Sequence, residues 1–511
     1  MLFKKKGLEK KNKEQAVNSE GINKGIDQLF AKAKKSHDFQ QLPLTNEAGY
    51  LILSYYSTLV VHLKLEQKVL CVFREPSFDS LKNIDDVKKI IPIEDIVITD
   101  NIEVIQSKLL KGYAILQMRE NDHKCALINL ADLNAGMRDQ NNVENEYSVI
   151  GPRIGFVENI VTNINLLRQN INTPDLIFKD LHIGSFSHTK VVIAYIDGVT
   201  NEQYVQTVTQ RLQDIDFDVV FDSSQLHQII EDNSLTPFPL LLSTERIDRA
   251  AFALINGQVA VFCHGSSYAI TGPSTLLDFF VSPEDYYLPW LVASFFRLIR
   301  IFSVLFSTFA SSIYIAILTY HYEMIPRILL STLSFSRHNV PFPPVLEVLF
   351  LEFTIELLRE AGARLPTKIG QTLGIVGGIV IGQASVEAAL TSNVLLIIVA
   401  LSALASFTTP IYKMSNTIRF LRFPLIVFAA LWGGLGIVLG ISFILVHLTR
   451  LESLGSPYTV PLYPFRHKDF ADSFIRASYS VTSKRPSYLR TKSLWRYHPY
   501  TEKKKKNDFD E

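Results

Sequence analysis

The segments that most constrain this chain of 511 residues are the long apolar ones that follow Trp290. Ile301–Tyr320 carries no charged side chain and has the length of about 20 residues that a helix needs to cross a membrane. Backbone polar groups find no water inside a bilayer, so a single crossing segment must be helical. The apolar segments are Ile301–Tyr320, Pro343–Leu358, Ile369–Leu390, Val394–Phe407 and Pro424–Leu448. They predict a transmembrane helical domain over residues 291–448, with about four to six helical segments.

Before Trp290, strand-like and helix-like patterns alternate, which is typical of α/β layers. We therefore expect two small α/β subdomains, over residues 45–148 and 151–288. The predicted strands are Val69–Phe73, Tyr113–Met118, Cys125–Asn129, Val191–Ile196 and Val259–His264, and the predicted helices are Leu51–Leu65, Glu202–Asp214 and Glu245–Asn256. The fold class is thus a multi-domain α/β protein joined to an α-helical membrane protein.

Both ends of the chain are basic. Residues 1–40 hold ten Lys or Arg against five Asp or Glu and predict a disordered basic leader. Residues 449–511 hold thirteen against seven and predict a basic C-terminal tail. Basic segments beside apolar spans usually face the cytoplasm, so we expect the leader, the α/β subdomains and the tail there, near anionic membrane lipid. The net charge of +1 indicates no nucleic-acid partner.

The charges between the apolar segments leave the topology open. Arg359, Arg364 and Lys368 form one basic cluster, and Lys413, Arg419 and Arg422 form another. Both clusters are expected to be cytoplasmic. A tail on that same side then requires that Pro424–Leu448 turns back at its glycines or that an earlier segment is re-entrant.

The segment Pro366–Leu390 carries two interleaved ladders of residues spaced by four, and such residues share a helix face. One ladder allows close helix packing and consists of Gly370, Gly374, Gly378 and Gly382. The other is polar at its ends and apolar in the middle, and consists of Gln371, Ile375, Ile379, Gln383 and Glu387. The second ladder suits the lining of a water-filled path with an apolar gate at Ile375 or Ile379. Buried Gln and Glu side chains that bond neighbouring helices are an equal alternative from the pattern alone. A path lined by one helix requires a ring-shaped homo-oligomer.

Glutamates within apolar segments are costly and mark functional or paired positions. Glu352 and Glu356 are candidates for a cation-attracting vestibule, whereas Glu360 is expected to pair with nearby arginines. No nucleotide-binding, metalloprotease or paired Cys-x-x-Cys motif occurs in the sequence. We therefore expect no catalytic residues, no metal site and no cofactor, and hence no enzyme.

Several stretches resemble the GerA family of bacterial spore germination proteins. They include GPRIGFVENIVTNINLLRQNI, STERIDRAAFALINGQVAVF, NVPFPPVLEVLFLEFTIELLREAGA, RLPTKIGQTLGIVGGIVIGQASVEA and LTRLESLGSPY. The resemblance covers roughly residues 151–490. Ile247 stands where the family usually has proline, which loosens one turn.

The resemblance implies an A subunit of a nutrient germinant receptor, located as a multi-pass protein in the inner membrane of the endospore. It implies a transporter-like B subunit that binds the nutrient and a lipoprotein C subunit as partners. It also implies assembly of A subunits into a nutrient-gated cation channel, which favours the path-lining interpretation of the second ladder. An A-subunit paralogue that amplifies germination without sensing nutrient is an alternative. A secondary transporter is disfavoured, because the ladder segment has no second copy and the spans are few.

Overall fold

The computed structural model describes residues 25–46, 49–74, 84–118, 124–131, 146, 149–364, 367–479 and 481–497. The side chains of residues 45–50, 74, 367–376 and 471 lie outside this described part. Three regions follow one another along the chain. An α/β region extends to Pro289, a helical region ends at Arg450, and a C-terminal segment of residues 451–497 follows, which we call the strap.

The first part of the α/β region is built on an antiparallel five-stranded sheet with the order β1-β2-β4-β5-β3. Its elements are α1 (residues 25–33), β1 (Phe39–Asn46), β2 (Gly49–Tyr56), β3 (Ile96–Thr99), α2 (Ile102–Leu109), β4 (Tyr113–Gln117) and β5 (Cys125–Asn129), with short helical segments at His62–Lys64, Leu65–Leu70, Val72–Arg74, Ile84–Asp86 and Val87–Ile90. Side chains alternate between the two faces of a strand. Ile115 accordingly packs with α1 and α2, while Leu116 joins the apolar cluster on the opposite face.

The second part repeats this plan with a five-stranded sheet of order β6-β7-β9-β10-β8. Its elements are α3 (Ile160–Asn170), β6 (Leu176–Ile183), β7 (Thr189–Ile196), α4 (Glu202–Gln213), α5 (Ser223–Ile230), β8 (Leu242–Thr244), α6 (Ile247–Asn256), β9 (Val259–Cys263) and β10 (Ala269–Gly272), followed by turns of 3-10 helix at Leu276–Phe280 and Pro283–Tyr286. Helices α3 and α6 cover one face of this sheet. Helices α4 and α5 cover the other. The α/β character expected before Trp290 is therefore confirmed.

Not every predicted element is correct. The strands predicted at Tyr113–Met118, Cys125–Asn129 and Val259–His264 are present. The helix predicted at Leu51–Leu65 is wrong, because its first part forms β2 against β1 and β4. The strand predicted at Val69–Phe73 is wrong as well, since this stretch is helical.

The predicted disordered leader of residues 1–40 is wrong in its second half, where residues 25–33 are helical. Residues 25–33 form α1, whose Ile26 and Phe30 are buried against the first sheet. Residues 1–24 lie outside the described residues. The sparse apolar positions of this stretch, spaced by three and four, are sufficient for one buried helix face.

A buried ion pair joins the two sheets. Nε and Nη2 of Arg168 on α3 lie 2.7 Å from the two carboxylate oxygens of Asp38, and both side chains are almost fully buried. The guanidinium also stacks over the Tyr56 ring, 4.0 Å from its centroid. Burial alone would raise the pKa of Asp38, but the charge and hydrogen bonds of Arg168 hold that pKa below its usual range. The pair therefore ties the α1–β1 connection to the second sheet.

The helical region consists of α7 (Trp290–Thr319), a 3-10 turn (Tyr322–Met324), α8 (Arg327–Arg337), α9 (Pro344–Arg364), α10 (Thr367–Glu387), α11 (Asn393–Ser406) and α12 (Tyr412–Arg450). By length and apolar composition, α7 and α12 qualify as membrane spans among the described residues. We call the end of this region that contacts the α/β region proximal and the opposite end distal.

Helix α12 is a hairpin of two limbs, residues 412–432 and 434–450, that meet at Gly433. The backbone of Gly433 has φ 60° and ψ −134°, which breaks the helix. A side chain on Gly440 would lie 2.6 Å from Leu425, and the rings of Phe428 and Phe443 stack 6.0 Å apart, so the limbs are antiparallel. Both ends of the hairpin reach the α/β region, because Thr417 donates to the carbonyl of Pro237 and Thr236 bonds His447. The sequence did not decide whether Pro424–Leu448 turns back at its glycines. In the structure it does so at Gly433.

The strap folds back on the second sheet instead of extending as a tail. It contains the short strands β11 (Glu452–Ser453) and β12 (Ser456–Pro457) and 3-10 turns at His467–Asp472 and Ser487–Leu489. Tyr458 is fully buried and donates to the carbonyl of Pro239, and Lys492 pairs with Glu202 on α4 at 2.5 Å. Residues 498–511 lie outside the described residues. The α/β region and the strap therefore lie at the same end of the helical region.

Candidate functional site in the helical region

The proximal end of α7 is fixed to the α/β region by a buried ionic cluster. Arg297 lies 3.1 Å from Asp285 and 3.2 Å from Asp472 of the strap, and Arg300 also reaches Asp285. Tyr286 donates to Asp472 at 2.7 Å, and burial together with that carboxylate raises the pKa of Tyr286 well above its usual range. Three parts of the chain, namely the end of the α/β region, α7 and the strap, meet in this cluster.

The distal end of the helical region is formed where α7 meets the α12 hairpin. Tyr320 donates its hydroxyl to the carbonyls of Ala430 and Leu431 at the end of the first limb. His321 Nε2 accepts the backbone N–H of Gly434 at the start of the second limb, at 3.2 Å. Helix ends leave carbonyl and amide groups unpaired, so these two side chains cap both sides of the turn.

Two glutamates of helix α9, Glu347 and Glu352, lie in the interior of the bundle. Glu347 is fully buried and accepts from Arg337 at 2.7 Å and from the backbone N–H of Ser392 at 3.3 Å. Glu352 is 1% exposed and pairs with Arg422 of the first α12 limb, while its other oxygen accepts from Ser311 at 2.6 Å.

The remaining glutamates of α9 lie nearer the proximal end. Glu356 lies 3.5 Å from Arg419, and Glu360 pairs with Arg364 at 2.5 Å on an exposed face. Within one chain, Glu352 and Glu356 both face arginines of α12, and the vestibule proposed for them stays a prediction. The arginines were expected in a cytoplasmic loop, yet Arg422 is buried and also bonds Ser307 at 2.7 Å. Glu360 has the local partner that the sequence predicted.

Helix α10 contains the ladder segment. Its main neighbour is α9, where a side chain on Gly377 would lie 3.0 Å from Leu358. The described members of the polar–apolar ladder lie on an exposed face: Ile379 is 62% exposed, and Gln383 and Glu387 are exposed and bonded to each other at 2.8 Å. The backbone places Gln371 and Ile375 in the same helix, but their side chains lie outside the described residues. Two polar side chains on an apolar helix thus have only each other as side-chain partners in the described structure.

The glycine ladder has free space beside it. A side chain on Gly378 would meet nothing within 4 Å, and one on Gly382 would make ordinary contact with Leu396 at 3.7 Å. Gly370 and Gly374 lie outside the residues whose surroundings are described. The close approach predicted for this strip is therefore unused at Gly378 within one chain, and its role in packing between copies stays a prediction.

Sequence reasoning missed the partners of α9 and the capping pair at the distal turn. Arg419 and Arg422 are spaced by three on an apolar segment, and Glu352 and Glu356 are spaced by four on another. Such matched spacings on two helices are a signal for an interhelical charge pair, although they do not give the register. Among the described residues, no cluster of three or more His, Cys, Asp or Glu side chains is placed to hold a metal ion.

The fold and this site define a class of protein: a two-sheet α/β region joined to a helical region with apolar helices of membrane-spanning length. The chain belongs to the GerA family, described as Bacillus/Clostridium GerA spore germination protein, whose model matches residues 26–488. Members of this family are receptor components of spore germination and are not enzymes.

The chain is similar over almost its whole length to spore germination proteins of Bacillus cereus. It is 49% identical to GerQA over 492 residues, covering 96% of this chain and 98% of GerQA. It is 46% identical to GerIA, covering 95% of this chain and 72% of GerIA. The crystal structure of the N-terminal domain of the A subunit of the Bacillus megaterium spore germinant receptor GerK3 covers 49% of this chain and 94% of that domain, with 22% identity and a TM-score of 0.37.

Proposed function

We propose that the chain is the A subunit of a germinant receptor and that several copies form a ring in the inner membrane of the spore. A B subunit that binds the nutrient and a lipoprotein C subunit are its proposed partners. Nutrient binding shifts the ring from a closed to an open arrangement, which requires tighter binding to the open one. Cations then leave the spore along a path lined by α10.

The observation that carries this proposal is the exposed strip of α10. Ile379 is 62% exposed, and Gln383 and Glu387 one and two turns further are exposed beside it. Polar and ionisable groups that face lipid are costly, whereas groups that face a water-filled path are not. A ring of copies places the strip around an axis, with Ile379 as the constriction that closes by dewetting. The glycine strip, beside which there is free space at Gly378, packs against the next copy.

The proposed topology has six crossings: α7, α9, α10, α11 and the two limbs of α12. It is supported by the contacts of the strap and of both hairpin ends with the α/β region, since an even number of crossings returns the chain to its starting side. Lys413 at the start of α12 lies 3.5 Å from Ser243 of the α/β region. The basic strap and this lysine support the proposal that the proximal side faces the cytoplasm.

A substitution at the constriction tests the proposal. Ile379→Ala widens the path, so spores that carry it are expected to release cations and to germinate without nutrient. Val380→Ala is the matched control, because Val380 is 57% exposed but lies about 100° around the helix from Ile379. Normal ion retention and normal nutrient dependence in the Ile379→Ala spores, with the protein present at wild-type level, would refute the assignment of α10 to the path.

The amplifying paralogue remains a second candidate within the family. Such a paralogue forms the same channel as a receptor A subunit but does not require a partner that binds the nutrient. Deleting the B subunit distinguishes the two: a receptor A subunit then no longer responds to its nutrient, whereas an amplifier still strengthens responses that other receptors start.

A further inference from the structure

Helix α8 exposes an apolar stripe at the distal end of the helical region. Ile328 and Phe335 are 87% and 86% exposed and lie seven residues apart, on one face of the helix. No residue of α8 is fully buried. The helix follows Tyr320 and Tyr322 in the chain, and Tyr320 contacts the hairpin turn. It therefore lies on the side of the bundle opposite the α/β region.

The orientation of α8 is fixed by its other face. Arg337 lies nine residues after Ile328, about half a turn around the helix. Its guanidinium bonds the buried carboxylate of Glu347 at 2.7 Å and the carbonyl of Phe342 at 3.3 Å. The ion pair therefore holds the side of α8 that bears Arg337 against α9, and Ile328 and Phe335 lie on the opposite side of the helix.

The stripe continues an apolar and aromatic surface at the same level. Tyr322, Met324, Trp432 and Leu435 surround the distal turn and are between 50% and 70% exposed. Tyrosine and tryptophan concentrate where a membrane meets water, because their rings are apolar and their polar atoms need a partner. Arg327 at the start of α8 is exposed and can reach lipid phosphate groups.

A second copy of the chain is a poorer partner for this stripe. Eleven residues of helix are only about 16 Å long. A stable protein contact buries about 800 Å² on each side. The exposed large apolar side chains of α8 are spread around a short helix and do not supply that area on one face: Ile328, Leu329, Leu330 and Phe335.

We propose that α8 is an amphipathic helix that lies in the lipid interface of the membrane leaflet opposite the α/β region. Ile328 and Phe335 insert at the boundary between headgroups and acyl chains, and Arg337 anchors the helix to α9 through Glu347. This assignment rests on the proposed membrane topology but not on the ion path. It gives the distal side of the bundle a fixed depth in the membrane.

Depth-dependent quenching of a fluorophore tests the proposal in the full-length protein in lipid bilayers. Single cysteines replace Ile328 and Phe335, with Cys71, which is exposed, changed to serine, and Cys125 and Cys263 removed as well if they react. Ser334→Cys is the control within α8, since Ser334 is exposed but lies about 100° around the helix from Phe335. Ile313→Cys, at a 44% exposed position six residues before the end of α7, reports whether the bundle is inserted.

A nitroxide near the lipid headgroup is expected to quench the labels at 328 and 335 at least about twofold more than one near the chain end. The label at 334 is quenched less and reacts faster with a water-soluble thiol reagent. The label at 313 shows the opposite depth preference. If 313 is quenched but 328 and 335 are not, the helix does not lie in lipid and the proposal is wrong while the topology holds. If none of the labels is quenched, the membrane topology itself fails.

Discussion

Gly433 shows how a single residue decides the course of the chain. Its φ of 60° with ψ of −134° belongs to a region that residues with a side chain rarely adopt. A side chain there would also lie 2.8–2.9 Å from the Tyr320 ring. The turn of the hairpin and the return of the chain to the α/β region therefore depend on glycine at this position.

Gly433→Ala is expected to destabilise the helical region by about 1–3 kcal/mol, the cost of a strained backbone conformation, with the clash against Tyr320 added. Thermal unfolding of the purified protein in detergent measures this. Gly362→Ala is the control, because a side chain on Gly362 meets nothing within 4 Å and its helical backbone is unstrained. Equal melting temperatures for the two variants would contradict the role given to Gly433.

The pair of Glu352 and Arg422 is the second decisive contact at this scale. Both side chains are almost fully buried, so removing one leaves an unpaired charge in an apolar surrounding. We expect Arg422→Met to cost about 3–5 kcal/mol of stability and the double variant with Glu352→Met to recover most of it. Glu360→Gln breaks only the exposed pair with Arg364 and should leave stability unchanged. If the double variant is less stable than either single variant, the ion pair stabilises the protein by more than the free energy needed to bury its two charges.

Among elements, α10 has α9 as its main neighbour within the described part of the chain. Its glycine strip predicts a contact between copies, and the free space at Gly378 makes that contact testable. Gly378→Leu fits within one chain, so it is expected to leave monomer folding intact and to block the close approach of the next copy. Size-exclusion chromatography in detergent reports the oligomer. Gly362→Leu, also in free space but outside the strip, should assemble normally, and normal assembly of both variants would argue against the strip.

The sequence predicted the kinds of element better than their partners. Strands such as Cys125–Asn129 and Val259–Cys263 are short apolar runs between turns and were recognised as such. The apolar density of Leu51–Leu65 predicts a helix and hides the alternation of β2, whose partner strand β4 lies far along the chain.

Only those parts of the candidate site that depend on the spacing of residues within one helix could be predicted from the sequence. The ladder of α10 is a local pattern and could be found from the sequence. The bond between Glu352 and Arg422 joins residues 70 positions apart, so local spacing could not reveal it. The caps that Tyr320 and His321 provide at Gly433 are equally non-local.

At the level of the whole molecule, the strap links the segment that follows α12 to the second sheet and to α7. It contributes Tyr458 to the core beside Phe279 and α12, and Asp472 to the cluster around Arg297. A tail of basic residues alone would be solvated, but aromatic residues spaced along it provide enough apolar surface to pack. The strap thus packs the proximal end of the bundle and the second sheet together.

Blocking the cation flux at one position of α10 is a direct test of whether this helix lines the path. Gln383→Cys is placed in a chain without reactive native cysteines, and the purified protein is reconstituted into vesicles together with its B and C subunits. Nutrient-triggered cation flux is then measured before and after a positively charged thiol reagent is added. Modification at 383 is expected to lower the flux at least about tenfold, whereas modification of Val380→Cys leaves it unchanged. Flux that persists after complete modification at position 383 would show that α10 does not line the path.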